Sequence, residues 1–439
     1  MKKIIEINRI RKDITPYSGL IFFENLITRL NLAGKLGQIL PQKIKNRGLK
    51  SKDKFVMGMY AFICGADCIQ DLDILNQDPL FQKLTMGGIA STTMGKFLKS
   101  FQLKHIERLQ DLLPQVALTL RKKIFPDQKR IVITMDSTPH EQYGEKMEGV
   151  AYNYKKIKCL DSQNAFDEYG LCYGWHLRPG NTFSAQGAEE MLERVFKHIP
   201  ESDYDRYFRA DSAYAQLAVY NCLIHKKINF AICLGEKAWG SLLERFEFKI
   251  AWHKTKINFF KSNKCQIGSC IYPVKGLQGR SFLRVVFIRT KKKNITKEDK
   301  YYYDYYAIVT NIASELMNDE RIIYFYRKRA NVENFIKDLK YGMDFLHFPS
   351  GSLRANQVWG MMGIYAYNLM KMASYILYPE HGCFLKRVRN KMVILAGMIK
   401  THARKITLLF NDYFFKEVQL LQMKIHFCFQ VSVYRSKFT

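Results

Sequence analysis

The sequence predicts an α/β fold with helical N-terminal and C-terminal regions and a β-rich insertion. Three observations carry this. Before residue 125, apolar residues recur at helical spacing, as in GLIFFENLITRLNL and FVMGMYAFICGADCI. From RIVITMDST (130–138) to residue 235, short runs rich in β-branched residues alternate with helical stretches, the pattern of an α/β domain. Between 240 and 312 a period of two dominates, broken by Gly-rich and Lys-rich turns.

In chain order, residues 1–125 form a helical domain. Within it, IASTTMGKFLKSF (89–101) offers Ser91 or Thr92 as a helix N-cap, followed by Lys96 and Lys99. This suits a helix-turn-helix recognition element or a plain bundle helix equally. The central domain comprises 126–238 plus 313–380. Ile131 to Met135 is a strand buried on both faces, with Asp136 at its end. GVAYNY and GLCYGWHL are strands beside the turn DEYG, RPGNTFS is a loop, and AQGAEEMLERVFKHI (185–199) is an amphipathic helix. Tyr207 to Ala210 is a short strand ending in Asp211, with a helix from near Ser212, and NFAICLG (229–235) is another buried strand.

The insertion spans 239–312. In RFEFKIAW, Phe246, Phe248, Ile250 and Trp252 alternate with polar residues, which predicts a strand. CQIGSCIYPV, SFLRVVFIR and YYYDYYAIVTNI are further strands, separated by turns such as KGLQGR and KKKNITKEDK. A helix at 326–340 follows, then a long apolar helix around 355–377. Residues 381–439 form a basic, mostly helical tail.

The charge balance narrows the partners. Lys plus Arg number 69 against 40 Asp plus Glu, a net charge of +29 over 439 residues. So large a basic excess points to a polyanion, nucleic acid first and a membrane surface second. The apolar run VWGMMGIYAYNLM (358–370) is too short to span a bilayer, and the basic start MKKIIEINRIRKDITPY lacks a signal-peptide core. A cytoplasmic location without a membrane is expected. The ten cysteines form no paired CxxC sites of zinc-like spacing, so reduced thiols are expected.

YRKRANVENFIKDLK (326–340) raises a geometric question. At about 100° per residue, Tyr326, Arg329, Glu333, Lys337 and Lys340 share one stripe roughly 80° wide, beside an apolar stripe of Val332, Phe335, Ile336 and Leu339. The plain reading is a solvated face with Arg329–Glu333 pairing at i,i+4. Asp136 and Asp211 change the weight of that reading. Each follows a buried strand, and three carboxylates are what a pair of Mg²⁺ ions needs. Two such ions about 4 Å apart clamp the attacking and leaving oxygens of a phosphoryl transfer.

These residues resemble the DDE transposases of bacterial insertion sequences, in particular the group with a Tyr-Arg-Glu-Lys signature helix. Tyr326, Arg329, Glu333 and Lys340 match its spacing, ITMDST and RADSAY match the contexts of its two aspartates, and LRPGNTFS and AYNL (366–369) are similar to its other segments. The resemblance implies a ribonuclease-H-like catalytic core, interrupted by a β-rich insertion between the second Asp and the Glu, with a helical domain that binds the transposon ends. It implies that Asp136, Asp211 and Glu333 are catalytic and hold two Mg²⁺ ions, with Mn²⁺ as a substitute. Tyr326, Arg329, Lys337 and Lys340 would contact DNA phosphates. It further implies Mg²⁺-dependent cleavage and strand transfer on double-stranded DNA, namely terminal inverted repeats and target, by a homodimer on DNA, in the bacterial cytoplasm with the nucleoid. The alternative is an inactive or domesticated DNA-binding derivative. Trp239 and Trp252 are open between core packing and contact with a flipped base. Ser137 and Ser212 are expected as caps or supports. His140, His176 and His225, and Asn153, Lys155 and Lys156, are open between structural and site roles.

Overall fold

The computed structural model describes residues 12–42, 48–144, 146–257, 265–292, 302–403 and 405–435. After a short strand, β1 (Ile14–Thr15), the N-terminal region is helical as expected: α1 (Leu20–Arg29), α2 (Leu32–Ile39), α3 (Ser51–Cys64), α4 (Asp71–Leu75), α5 (Pro79–Leu84), α6 (Ser91–Lys99) and α7 (Leu103–Ile124). Ser91 is the first residue of α6 rather than its cap, and its N–H is met by the Asp73 carboxylate of α4 at 2.9 Å. Lys96 and Lys99 are exposed on α6.

The core is a mixed sheet. Its strands are β2 (Arg130–Glu141), β3 (Ala151–Tyr152), β4 (Lys158–Phe166), β5 (Cys172–Pro179), β6 (Asp205–Ala210), β7 (Asn229–Cys233), β8 (His253–Thr255), β9 (Cys265–Pro273), β10 (Phe282–Lys291) and β11 (Tyr303–Thr310). Their order is β3-β4-β2-β6-β7-β11-β10-β9-β8, with β5 also on β4. The β2–β6 and β6–β7 pairs are parallel and the others antiparallel. The run β5-β4-β2-β6-β7 is consistent with a ribonuclease-H-like core. Crossover helices α8 (Ala188–Lys197) and α9 (Leu217–His225) connect its parallel strands. The strands of 265–310 prolong the same sheet through β11 on β7, with Thr310 opposite Ala231.

Four sequence expectations are corrected. First, β2 does not stop at Asp136 but continues to Glu141, because β4 remains as its partner after β6 has ended. Second, RFEFKIAW is not a strand: α10 (Glu236–Phe246) runs into a 3₁₀ turn at Glu247–Lys249. Trp239, Leu242 and Leu243 bury at helical spacing just upstream, and that stripe overrides the local alternation. Third, 326–340 is not one helix. α11 (Asp319–Arg327) and α12 (Asn331–Gly342) are separated by a 3₁₀ turn at Lys328–Ala330. Fourth, the tail is only partly helical. After α14 (Leu385–Val388) and a π turn, β12 (Gly397–His402) pairs with β1 on one side and β13 (Lys405–Leu409) on the other, before α15 (Asp412–Arg435). Residues 293–300 of the KKKNITKEDK turn lie outside the described residues.

α13 (Leu353–Leu377) joins sheet to helices. It is buried on every side from Ala355 to Ile376, which explains its unbroken apolar run. It packs on α3, α6, α7 and β5. Gly360 permits the approach, since a Cβ there would lie 2.1 Å from the Trp175 ring. One apolar core consequently runs from Leu20 to Ile425. A second cluster, including Val132, Tyr207, Ile308, Ile322 and Phe325, seats α11 on the other face of the sheet. No described helix is long and apolar enough to cross a membrane.

Candidate active site

The parallel pairing of β2 and β6 sets Thr134 opposite Arg209. Two residues further along each strand, on the same face, come Asp136 and Asp211. Strand pairing thus delivers two carboxylates side by side, one strand spacing of about 5 Å apart at the backbone. Asp136 lies just past the last β2–β6 pair and Asp211 just past Ala210, so both occupy the end of the parallel ladder.

α12 brings the third group. Glu333 sits in its first turn and is 69% exposed, against 17% for Asp136. Arg329, in the turn between α11 and α12, stands between them. Its Nη1 is 3.3 Å from Asp136 Oδ2, and its Nη2 is 3.9 Å from Glu333 Oε1. Asp136 Oδ1 accepts from the Ser137 N–H at 2.9 Å, and Asp211 Oδ1 from the Ala213 N–H at 3.0 Å. The guanidinium is a cation within a group of carboxylates, in the manner of the i,i+4 link but extended to a strand 193 residues away.

The electrostatics are asymmetric. Burial pushes the Asp136 carboxyl up to about 6, reinforced by Asp211 and Glu333, and Arg329 and the Ser137 N–H offset this only in part. Burial pulls Arg329 down, but Tyr326, Asp136 and Asp211 together hold it above its ordinary value. An all-oxygen set of carboxylates suits a divalent cation such as Mg²⁺. The three side chains are not gathered to a point. Among the described residues, the trio of metal-ligand type whose atoms lie within 4.8 Å of one another is Asp67, Cys68 and Asp71, in the helical domain. Exposure leaves the Glu333 side chain its rotamer freedom.

The remaining signature residues do not form one exposed stripe, because the helix breaks at 328–330. Tyr326 is 4% exposed and accepts a hydrogen bond from the Tyr306 hydroxyl at 3.1 Å. Lys340 is half-buried and donates to the Pro139 carbonyl at 2.6 Å, and burial lowers its pKa. Lys337 is exposed. Val332 and Leu339 are buried as expected, whereas Phe335 and Ile336 are half-buried.

Among the open residues, Ser137 supports the site: its Oγ is 3.0 Å from Ser184 Oγ, in the RPGNTFS loop. Ser212 is exposed. His140 is structural, with Nδ1 2.8 Å from the Phe345 carbonyl and Nε2 2.8 Å from Ser162 Oγ. The carbonyl must accept, so Nδ1 carries the proton. Burial and Lys340 push this imidazole down to about 3, leaving it neutral. His176 and His225 are exposed and outside these contacts. Trp239 is buried, and the Arg289 guanidinium stacks 3.8 Å over Trp252, so both tryptophans pack the sheet extension. Asn153 caps its own turn, accepting from the Lys155 and Ile157 N–H groups, and Lys155 and Lys156 are exposed.

Sequence reasoning missed β4, KCLDSQNAF, because four of its buried residues are polar. Each is satisfied within the fold: Asp161 by Arg178, Ser162 by His140, Gln163 by the Ser184 carbonyl and Asn164 by the Asp136 carbonyl. Asn164 therefore holds the backbone of the first aspartate, 3.2 Å from its oxygen. The alternation that marks a half-buried strand was absent, so no local signal could have found it.

A search of curated proteins found no match. Over residues 2–424 the chain matches the family described as transposase DDE domain group 1. That span takes in Asp136 and Asp211 at the end of the β2–β6 ladder, the signature helix pair and the helical regions on either side, and the chain belongs to this family of DDE transposases.

Proposed function

We propose that this transposase cleaves DNA at the ends of an insertion sequence and transfers the freed strand to a target, in a Mg²⁺-dependent cut-and-paste reaction. The family makes DNA its partner and divalent ions its general cofactor. Asp136, Asp211 and Glu333 are assigned as the ligands of two Mg²⁺ ions, with Mn²⁺ able to replace them. When bound, such a pair activates the attacking oxygen and stabilises the leaving one. The observation that carries the reading is the β2–β6 register, which aligns Asp136 with Asp211 at one end of the ladder.

The chain's own groups have separate tasks. Above a pH of about 6 Asp136 is ionised and can exchange its contact with Arg329 for a metal. Arg329, once released, is available to a DNA phosphate. Lys337 contacts the backbone from its exposed position, which orients the strand without reading bases. Tyr326 and Lys340 support this surface from behind through Tyr306 and Pro139. The assembly is taken to be a homodimer on paired ends, acting on nucleoid DNA in the bacterial cytoplasm.

The test is excision of a plasmid-borne element with Mg²⁺, comparing wild type with Asp136→Asn, Asp211→Asn and Glu333→Gln. The expected result is double-strand release by wild type, and DNA binding without cleavage by all three variants. Wild type that binds the ends and never cuts them would place the chain among inactive, DNA-binding derivatives.

A further inference from the structure

Arg209 opens the RADSAY segment and lies where β2, β6 and the end of α11 meet. It is 3% exposed and belongs to β6, two residues before Asp211. Its Nε and Nη2 donate to Thr134 Oγ1 at 3.3 and 3.2 Å, on β2 and two residues before Asp136. Its Nη1 donates to the Phe325 carbonyl at 2.8 Å, in the last turn of α11. The last four carbonyls of a helix lack partners within it, and a cation there is also favoured by the helix dipole. Arg209 therefore caps α11 immediately before the 328–330 turn, from which Arg329 reaches both Asp136 and Glu333.

All its hydrogen-bond acceptors here are neutral: one hydroxyl and one carbonyl. A salt bridge is not what holds this guanidinium; the fit of a rigid, planar fork is. We propose that Arg209 is a positioning residue, whose bonds to Thr134 and Phe325 lock β2, β6 and the α11–α12 turn together and so set the affinity of the Asp136–Asp211–Glu333 group for divalent cations. This rests on the carboxylate reading above. A buried arginine that merely fills the core would affect folding and leave ion affinity unchanged.

The experiment measures Mn²⁺ binding to the full chain by electron paramagnetic resonance of the free ion at pH 7.5. Thermal unfolding in chelator serves as the folding control. Thr134→Val keeps the side-chain shape and removes the acceptor, Thr134→Ser keeps the acceptor, and Arg209→Lys keeps the charge and loses the fork. Loss of groups that orient metal ligands typically weakens metal affinity about 10- to 100-fold. Thr134→Val and Arg209→Lys are expected to weaken Mn²⁺ binding by about 10-fold or more, with Thr134→Ser restored close to wild type. Wild-type Mn²⁺ affinity in folded Thr134→Val and Arg209→Lys, with only the unfolding temperature lowered, would overturn the proposal. Asp136→Asn that binds Mn²⁺ as well as wild type does would instead remove the carboxylate reading on which it rests.

Discussion

The raised Asp136 carboxyl makes the metal-free site a source of instability, and replacing that residue should relieve it. In the folded chain this group titrates near 6, against 3.8 for the ordinary side chain. Linkage sets the sign. Between about 6 and 3.8 the native state holds a proton that the unfolded chain has released, so this group's contribution to stability falls as pH rises through that window. At about 1.4 kcal/mol per pH unit, the full penalty above pH 6 is about 3 kcal/mol. The Asp136 side chain is only 17% exposed, so solvent screens little of it. Asn at 136 removes the charge, keeps an acceptor for the Ser137 N–H, and gives up the ionic contact with Arg329. The expected net effect is a metal-free Asp136→Asn variant more stable than wild type by roughly 1–3 kcal/mol at pH 7.5. The advantage should fade as pH falls from 6 towards 4. Urea unfolding in chelator across this range measures it, and Mg²⁺ should then stabilise wild type but not the variant. A variant less stable than wild type at pH 7.5, or a difference unchanged between pH 5 and pH 8, would refute the reasoning.

Other positions give independent checks. Arg121 is fully buried, with Nη1 2.9 Å from the equally buried Asp167 and Nη2 2.7 Å from Glu168. Arg121→Met leaves Asp167 uncompensated and should cost about 3–5 kcal/mol, read by urea unfolding. Gly360→Ala forces a methyl into the Trp175 ring and should destabilise by about 1–3 kcal/mol in thermal unfolding, although alanine is otherwise the better helix former. In DNA-binding titrations, Lys337→Ala should lower the salt-dependence slope by about 1, whereas Tyr326→Phe should leave it unaltered. Equal slopes for wild type and Lys337→Ala would remove Lys337 from the DNA surface.

Much of this molecule was legible in the chain itself. Ile131 to Met135 and NFAICLG were readable as buried strands because continuous β-branched runs suit a strand covered on both faces. Asp136, Asp211 and Glu333 could be singled out from local context, since Asp136 follows the apolar run Ile131 to Met135, Asp211 follows β6 and Glu333 lies in the first turn of α12. The 355–377 helix was clear because burial on all sides leaves an unbroken apolar record. β4 was hidden for the opposite reason: its polar side chains find partners on β2, β5 and the 180–186 loop, none of them local. The strand implied by RFEFKIAW failed because a helical stripe just upstream buried more surface than the alternation offered.

By itself, the sequence determined the buried runs that became β2, β6, β7 and α13, where the acidic residues fall along the chain, and a basic excess suited to a polyanion. Those properties depend on residue type and short-range periodicity. Tertiary structure alone decided that Thr134 aligns with Arg209, so that Asp136 aligns with Asp211, and that the signature helix is interrupted by a 3₁₀ turn at 328–330, from which Arg329 reaches both Asp136 and Glu333. The reason is reach. The bonds that fix the site join Arg209 to Thr134 across 75 residues and to Phe325 across 116, and no local window of sequence contains both partners.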